Sequence, residues 1–72
     1  MTKTIYADEY KKISGNLKKA RQEIGLTQTE AAKKLNRPQS YVSKAENGEQ
    51  RLDILELKKF AKLYNKKIEF FI

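Results

Sequence analysis

Two short helical segments in the middle of the chain constrain the fold most, because only a few residues separate them. Thr27 and Glu30 have the spacing of a capping box, in which each side chain accepts a hydrogen bond from the backbone N–H of the other residue. This pattern predicts a helix over about residues 28–35. Residues 36–38 (Asn-Arg-Pro) end it, since proline disfavours helical geometry in the residue before it. Proline is also well accepted at the first position of a helix, so a second helix is expected over about residues 38–46.

Further helices are expected on both sides of this central pair. Before it, apolar residues recur every three or four positions, as on one face of a helix, and Gly25 would end that helix by taking positive φ. The residues of this face are Tyr6, Tyr10, Ile13, Leu17, Ala20 and Ile24. After the pair, residues 47–48 (Asn-Gly) are a stop signal, and Asp53 with Glu56 makes a second capping box that begins a fourth helix. That helix is expected to end near residue 65 and to bury Ile54, Leu57, Phe60, Ala61 and Tyr64.

The C-terminal tail, residues 66–72, has a different pattern. Apolar residues alternate along it, and this period of two predicts a short β-strand over about residues 68–72. A chain of 72 residues supports one hydrophobic core only, so a single domain over residues 1–72 is expected. The predicted fold class is therefore all-α: a compact four-helix domain with a short C-terminal β-strand.

Charge and composition narrow the function. Sixteen basic residues against nine acidic ones give a formal net charge of +7, and such an excess attracts polyanions, of which nucleic acid is the commonest. The sequence has no cysteine and no histidine, which removes disulfides, zinc–thiolate sites and imidazole-based catalysis. Its acidic residues show no metal-ligand spacing, so no metal, cofactor or enzymatic activity is expected. No apolar run approaches the roughly 20 residues that span a bilayer, and no secretory signal is evident, so a cytoplasmic location is expected.

The two central helices and the tight turn between them have the layout of a helix-turn-helix unit, over about residues 28–46. Asn36 stands in the turn, where asparagine tolerates positive φ. Residues 25–35 (GLTQTEAAKKL) and 38–48 (PQSYVSKAENG), within a stretch from 17 to 64, resemble the Cro/phage-repressor (xenobiotic-response-element) family. The resemblance implies a lambda-repressor-like DNA-binding domain. It also implies a sequence-specific transcription regulator, most often a repressor on a palindromic operator.

By this resemblance, the second central helix reads bases from its outward face. Gln39, Ser40 and Lys44 match the base-reading positions of the family. Glutamine can bond bidentately to adenine, lysine can donate to guanine, and serine can bond to either. Lys44 could instead bind a phosphate, and Ser43 lies either at the groove or without a contact.

Other matched residues imply contacts with DNA phosphates. Gln28 begins the first central helix, where exposed N–H groups attract an anion, and it matches a phosphate-binding glutamine. Asn47 matches a phosphate-contacting asparagine, a role compatible with closing the helix. Arg51, in the following loop, is a further candidate, and so are Arg37 and Tyr41.

Arg21 and Glu46 match an ion pair that joins the first and third helices in several relatives, which is a structural role. If the pair is buried, removing one partner costs about 3–5 kcal/mol, because the other charge is left stranded. If it is exposed, it contributes under about 1 kcal/mol.

A homodimer is expected, since two paired modules read two half-sites. The apolar tail is the candidate interface, through Ile68, Phe70, Phe71 and Ile72. Two tails can pair as antiparallel strands, the arrangement we favour, or each can fold back over its own helices. The alternative function is an antitoxin-type module, in which the tail covers a partner toxin while the helices bind double-stranded DNA.

Overall fold

The structure, a computed structural model, describes residues 2–72, with side chains from Tyr10 onwards. Within these residues the chain forms the helices α1 (Thr2–Glu23), α2 (Gln28–Leu35), α3 (Gln39–Glu46) and α4 (Ile54–Leu63), followed by a 3₁₀ turn at Ile68–Phe70. The predicted all-α class with a central helix-turn-helix is confirmed. Tyr6, part of the predicted apolar face, lies outside the described side chains.

Except at Pro38, the local signals begin and end the helices as predicted. Both capping boxes are present, with Glu30 N–H donating to Thr27 Oγ1 at 3.0 Å and the Thr27 N–H donating to Glu30 Oε1 at 2.9 Å. Asn36 takes the left-handed conformation at φ 59°, which turns the chain between α2 and α3. Gly25 closes α1 at φ 74°. Pro38 is the capping residue before α3 rather than its first helical residue.

The core lies where all four helices meet. Ala31 and Ala32 are buried on α2, and their small side chains let α3 cross close to it. Leu17 and Ala20 of α1 contribute to the same cluster. The complete buried apolar set is Leu17, Ala20, Ala31, Ala32, Val42, Ala45, Leu57, Phe60, Ala61, Tyr64 and Phe71.

Two residues of the predicted apolar faces are exposed, which corrects the prediction. Ile24 is 42% exposed and Ile54 is 54% exposed. Ile24 follows the last residue of α1, where the backbone has left helical geometry and the helical phase no longer places its side chain. Ile54 is the first residue of α4, at the end of the helix away from the buried positions 57, 60, 61 and 64.

The predicted C-terminal strand is wrong. The tail forms a 3₁₀ turn in which Phe71 N–H donates to the carbonyl of Ile68 at 3.0 Å. The turn moves Phe71 into the core, where it is 1% exposed, and the Asn16 amide donates to the Phe70 carbonyl at 3.1 Å. A lone strand would leave its backbone groups without partners, whereas the turn satisfies several of them locally. The tail therefore folds back over its own helices, the second of the two arrangements considered from the sequence.

Candidate nucleic-acid interface

Helix α3 has one buried face and one exposed face. Val42 and Ala45 are 0% and 1% exposed, and they fix the helix against the rest of the core. Gln39, Ser40 and Lys44 are all exposed on the opposite side. The three residues predicted to read bases therefore form one polar row on the surface. Ser43, the fourth candidate, is half-buried.

Arg21 of α1 and Glu46 at the end of α3 form a bidentate ion pair. Arg21 Nε donates to Glu46 Oε2 at 2.6 Å, and Arg21 Nη2 donates to Oε1 at 2.9 Å. The Arg21 and Glu46 side chains are only 9% and 1% exposed. The hydrogen bond that Arg21 donates to Glu46 raises the pKa of Arg21 despite the opposing effect of burial. Arg21 Nη1 also donates to the carbonyl of Leu26, so the pair holds α1, α3 and the loop before α2 together.

A line of hydrogen bonds runs from this ion pair to the exposed surface. Gln28 Nε2, on α2, donates to Glu46 Oε1 at 3.0 Å. Gln39 Nε2, on α3, donates to Gln28 Oε1 at 2.7 Å. We call Arg21, Glu46, Gln28 and Gln39 the amide network. It connects a buried charge to the first residue of the exposed polar row.

Arg37 and Tyr41 lie beside α4. The Tyr41 hydroxyl donates to Glu56 Oε2 at 2.8 Å, and the Arg37 guanidinium carbon lies 4.6 Å from the centre of the Tyr41 ring. Burial first, and then the hydrogen bond with Glu56, raises the pKa of Tyr41 to about 12. Tyr41 also stacks on Phe60, so its ring joins the polar surface to the core.

The loop after α3 is fixed at both ends. The Asn47 N–H donates to the Ser43 carbonyl at 3.0 Å, while Leu52 N–H donates to the Tyr10 hydroxyl at 3.2 Å. Arg51 lies between these anchors, with its guanidinium carbon 6.0 Å from the centre of the Tyr10 ring. Asn47 and Arg51 are exposed. Both side chains are therefore accessible on a loop whose backbone is tied to α3 and α1.

The comparison with known families agrees with this geometry. A model of the helix-turn-helix family, of the Cro/C1 type, matches residues 17–71. The chain belongs to that family. No curated protein matches the chain significantly. This helix-turn-helix protein is a DNA-binding transcription regulator in the general sense of its family.

Two negative findings apply to the described part of the helix-turn-helix protein. Among residues 10–72, whose side chains the structure describes, no group of three or more histidine, cysteine, aspartate or glutamate residues could hold a metal ion. None of the helices within residues 2–72 has the length and apolar content needed to cross a membrane.

The sequence did not predict the amide network beyond the Arg21–Glu46 pair. The two glutamines are eleven positions apart, and each had a separate role as a DNA contact. A signal was present nonetheless: Gln28 and Gln39 are the first residues of two helices joined by a tight turn. The bond between Tyr41 and Glu56 was also missed, because Glu56 was considered only as a capping residue.

Proposed function

We propose that this protein represses transcription by binding a palindromic operator as a homodimer, with α3 as its recognition helix. The observation that supports this most is the division of α3 into two faces. Val42 and Ala45 anchor the helix in the core, so the row of Gln39, Ser40 and Lys44 is held outward on a rigid support. The major groove of a duplex is wide enough for such a helix, and its base edges carry a distinct pattern of donors and acceptors.

The base contacts are proposed from the position of each side chain along α3. Gln39 and Ser40 are its first two residues, and in helix-turn-helix proteins the N-terminal residues of this helix contact base edges. Lys44 lies in the last turn, where it donates to a guanine or to the backbone beside it. Ser43, half-buried, is the least accessible of the four candidates.

The phosphate contacts are proposed around this helix. The Gln28 amide gives one N–H to Glu46 and keeps a second for a phosphate oxygen. Asn47 and Arg51 are exposed on the fixed loop after α3. Arg37, whose side chain is 48% exposed, is held over the Tyr41 ring and is a further candidate. The net charge of +7 adds long-range attraction for the duplex.

The homodimer is proposed because one module buries only about 600–1,000 Å² on DNA, which limits its specificity. A two-fold dimer reads half-sites about 34–36 Å apart. Pairing of the tails would have to withdraw Phe71 from its own core, although Ile72 is 70% exposed. The adjacent pair Ile54 and Leu55 is 54% and 64% exposed and offers a second apolar contact.

Exposure favours the Ile54–Leu55 surface over the tail for contact between two copies. Ile54 and Leu55 are accessible without moving any core residue, whereas pairing of the tails would withdraw Phe71, which is 1% exposed. We therefore place the dimer contact at Ile54 and Leu55, with the tail as the alternative.

Selection of bound duplexes from a random pool tests the proposal. The enriched sequences should share a palindrome with two half-sites. Gln39→Ala should relax the preference at one position in each half-site, at a cost of ~1–3 kcal/mol. Arg51→Ala should lower the affinity for all sequences and reduce the salt dependence, as expected for a lost phosphate contact.

The control for this selection is Gln22→Ala, which removes an exposed amide of α1 outside the proposed interface and should change neither property. An enriched pool without a shared motif contradicts sequence-specific binding.

A second candidate is an antitoxin-type module that binds a partner toxin as well as DNA. The exposed Ile54 and Leu55 support it, because adjacent large apolar side chains on a surface often mark a protein contact. Co-purification with a second small protein from the native host, lost in Leu55→Glu, would favour this function over the homodimer.

A further inference from the structure

The amide network fixes which way its two glutamine side chains point. A carboxylate can only accept hydrogen bonds. Glu46 already accepts from Nε and Nη2 of Arg21, so Gln28 can bond to Glu46 only through its NH₂ group. The carbonyl oxygen of Gln28 then faces away from the ion pair. Gln39 approaches that oxygen at 2.7 Å, so it too must present its NH₂ group.

The orientation of the Gln39 side chain limits the bases that it can pair with. Its NH₂ group has two N–H donors, and one of them is used by Gln28. One N–H and the carbonyl oxygen remain for DNA. Adenine offers one acceptor, N7, and one donor, the N6 amino group, to the major groove, which matches this pair. Guanine offers two acceptors, N7 and O6, and the Gln39 carbonyl would face an oxygen.

We propose that Glu46 is a specificity-determining residue: acting through Gln28, it orients the Gln39 amide so that the recognition helix reads adenine rather than guanine. This inference rests on the proposed function, because it requires Gln39 to contact a base. Glu46 does not touch the DNA. It is a positioning residue, and its burial and its two bonds to Arg21 keep its carboxylate from turning away.

Two substitutions break the network at different points. Glu46→Gln replaces the carboxylate with an amide of the same shape, which can present either oxygen or NH₂ to Gln28, so the orientation is no longer imposed. Gln28→Met keeps a side chain of similar length, removes both hydrogen bonds and leaves the Arg21–Glu46 pair intact. Because the second variant spares the ion pair, it tests the inference even if Glu46→Gln does not fold.

The measurement is the dissociation constant for four duplexes that differ only at the position where Gln39→Ala relaxes preference. The parent should prefer adenine there by about 5- to 150-fold, the usual discrimination of a bidentate contact. In both variants the preference should fall to about threefold or less, because a freely turning amide makes a single bond to several bases. Preferences at the positions read by Ser40 and Lys44 should not change. Gln28→Met also lowers the affinity for every duplex, so the ratio between duplexes, not the affinity, is compared.

Gln22→Met, the same change at an exposed glutamine of α1, is the matched control and should keep the adenine preference. Circular dichroism melting identifies which variants are folded. A folded Gln28→Met or Glu46→Gln that keeps the full adenine preference overturns the inference, while the proposed function stands if Gln39→Ala still relaxes that position. If Gln39→Ala relaxes no position, the assignment of Gln39 as a base reader fails, and this inference fails with it.

Discussion

Replacing Arg21 with methionine should destabilise the protein more than any change at a surface charge. The Glu46 side chain is 1% exposed when Arg21 is present, and the substitution leaves Gln28 as its remaining hydrogen-bond donor among those described. Stranding one charge of a buried pair costs about 3–5 kcal/mol. Since a domain of 72 residues is stable by about 4–11 kcal/mol in total, the loss is a large fraction of the whole.

Urea denaturation followed by circular dichroism measures this loss. With a slope of about 1 kcal/mol per molar urea, the lower end of the usual range for small proteins, the midpoint should fall by roughly 3 M or more. Arg21→Met combined with Glu46→Leu should recover most of the stability, because well-packed apolar residues can replace a buried pair at little cost. Lys66→Met, at the partly exposed ion pair with Glu23, is the control and should lower the midpoint far less. If the losses of stability in Arg21→Met and in Glu46→Leu add up to the loss in the double variant within about 0.5 kcal/mol, the reasoning is refuted, because that is the behaviour of uncoupled residues.

Three further predictions concern the tail, the dimer and a surface carboxylate. Phe71→Ala should lower the free energy of unfolding by about 3–5 kcal/mol through loss of core packing. In urea denaturation this loss should not depend on protein concentration, whereas a tail paired between subunits would make it depend on concentration. Leu55→Glu should weaken self-association by about tenfold or more in sedimentation equilibrium, and Ile72→Glu should not; the reverse result would place the dimer contact in the tail. Lys66→Met should raise the pKa of Glu23 towards its ordinary 4.5, as read by carboxyl-carbon NMR, because the hydrogen bond from Lys66 is the main cause of its lowered pKa. A carboxylate whose pKa is lowered by folding adds stability above its unfolded pKa, so this contribution is present at neutral pH and is lost as the pH falls through the lowered value.

Signals within a few residues of each other could be read from the sequence. A capping box requires only two side chains three positions apart, and both predicted boxes are present. The left-handed turn at Asn36 follows from the same local chemistry. These interactions are decided within one turn of the chain, so tertiary packing has little opportunity to override them.

Features that depend on distant residues could not be read in this way. The alternation in the tail is also compatible with a 3₁₀ turn, and only the space for Phe71 in the core, together with the Asn16 amide on α1, decides between them. The Gln28–Gln39 bond likewise depends on how α2 and α3 cross. Helical spacing fails at the ends of helices, which is why Ile24 and Ile54 are exposed.

Because α3 is short, both its stability and the placement of its proposed DNA contacts depend on how it packs against the rest of the fold. An isolated helix of eight residues is not stable in water, so α3 exists because Val42 and Ala45 are buried. Glu46 is its last residue, where a negative charge is unfavourable beside the negative end of the helix dipole, and Arg21 offsets this. At the other end, Pro38 supplies no side-chain cap, so the positive end of the dipole stays open beside Gln39. In the proposed complex the N-terminal end of α3 faces the duplex. The helix dipole then favours this orientation at both ends, because its negative end lies beside Arg21 and its positive end lies beside the DNA.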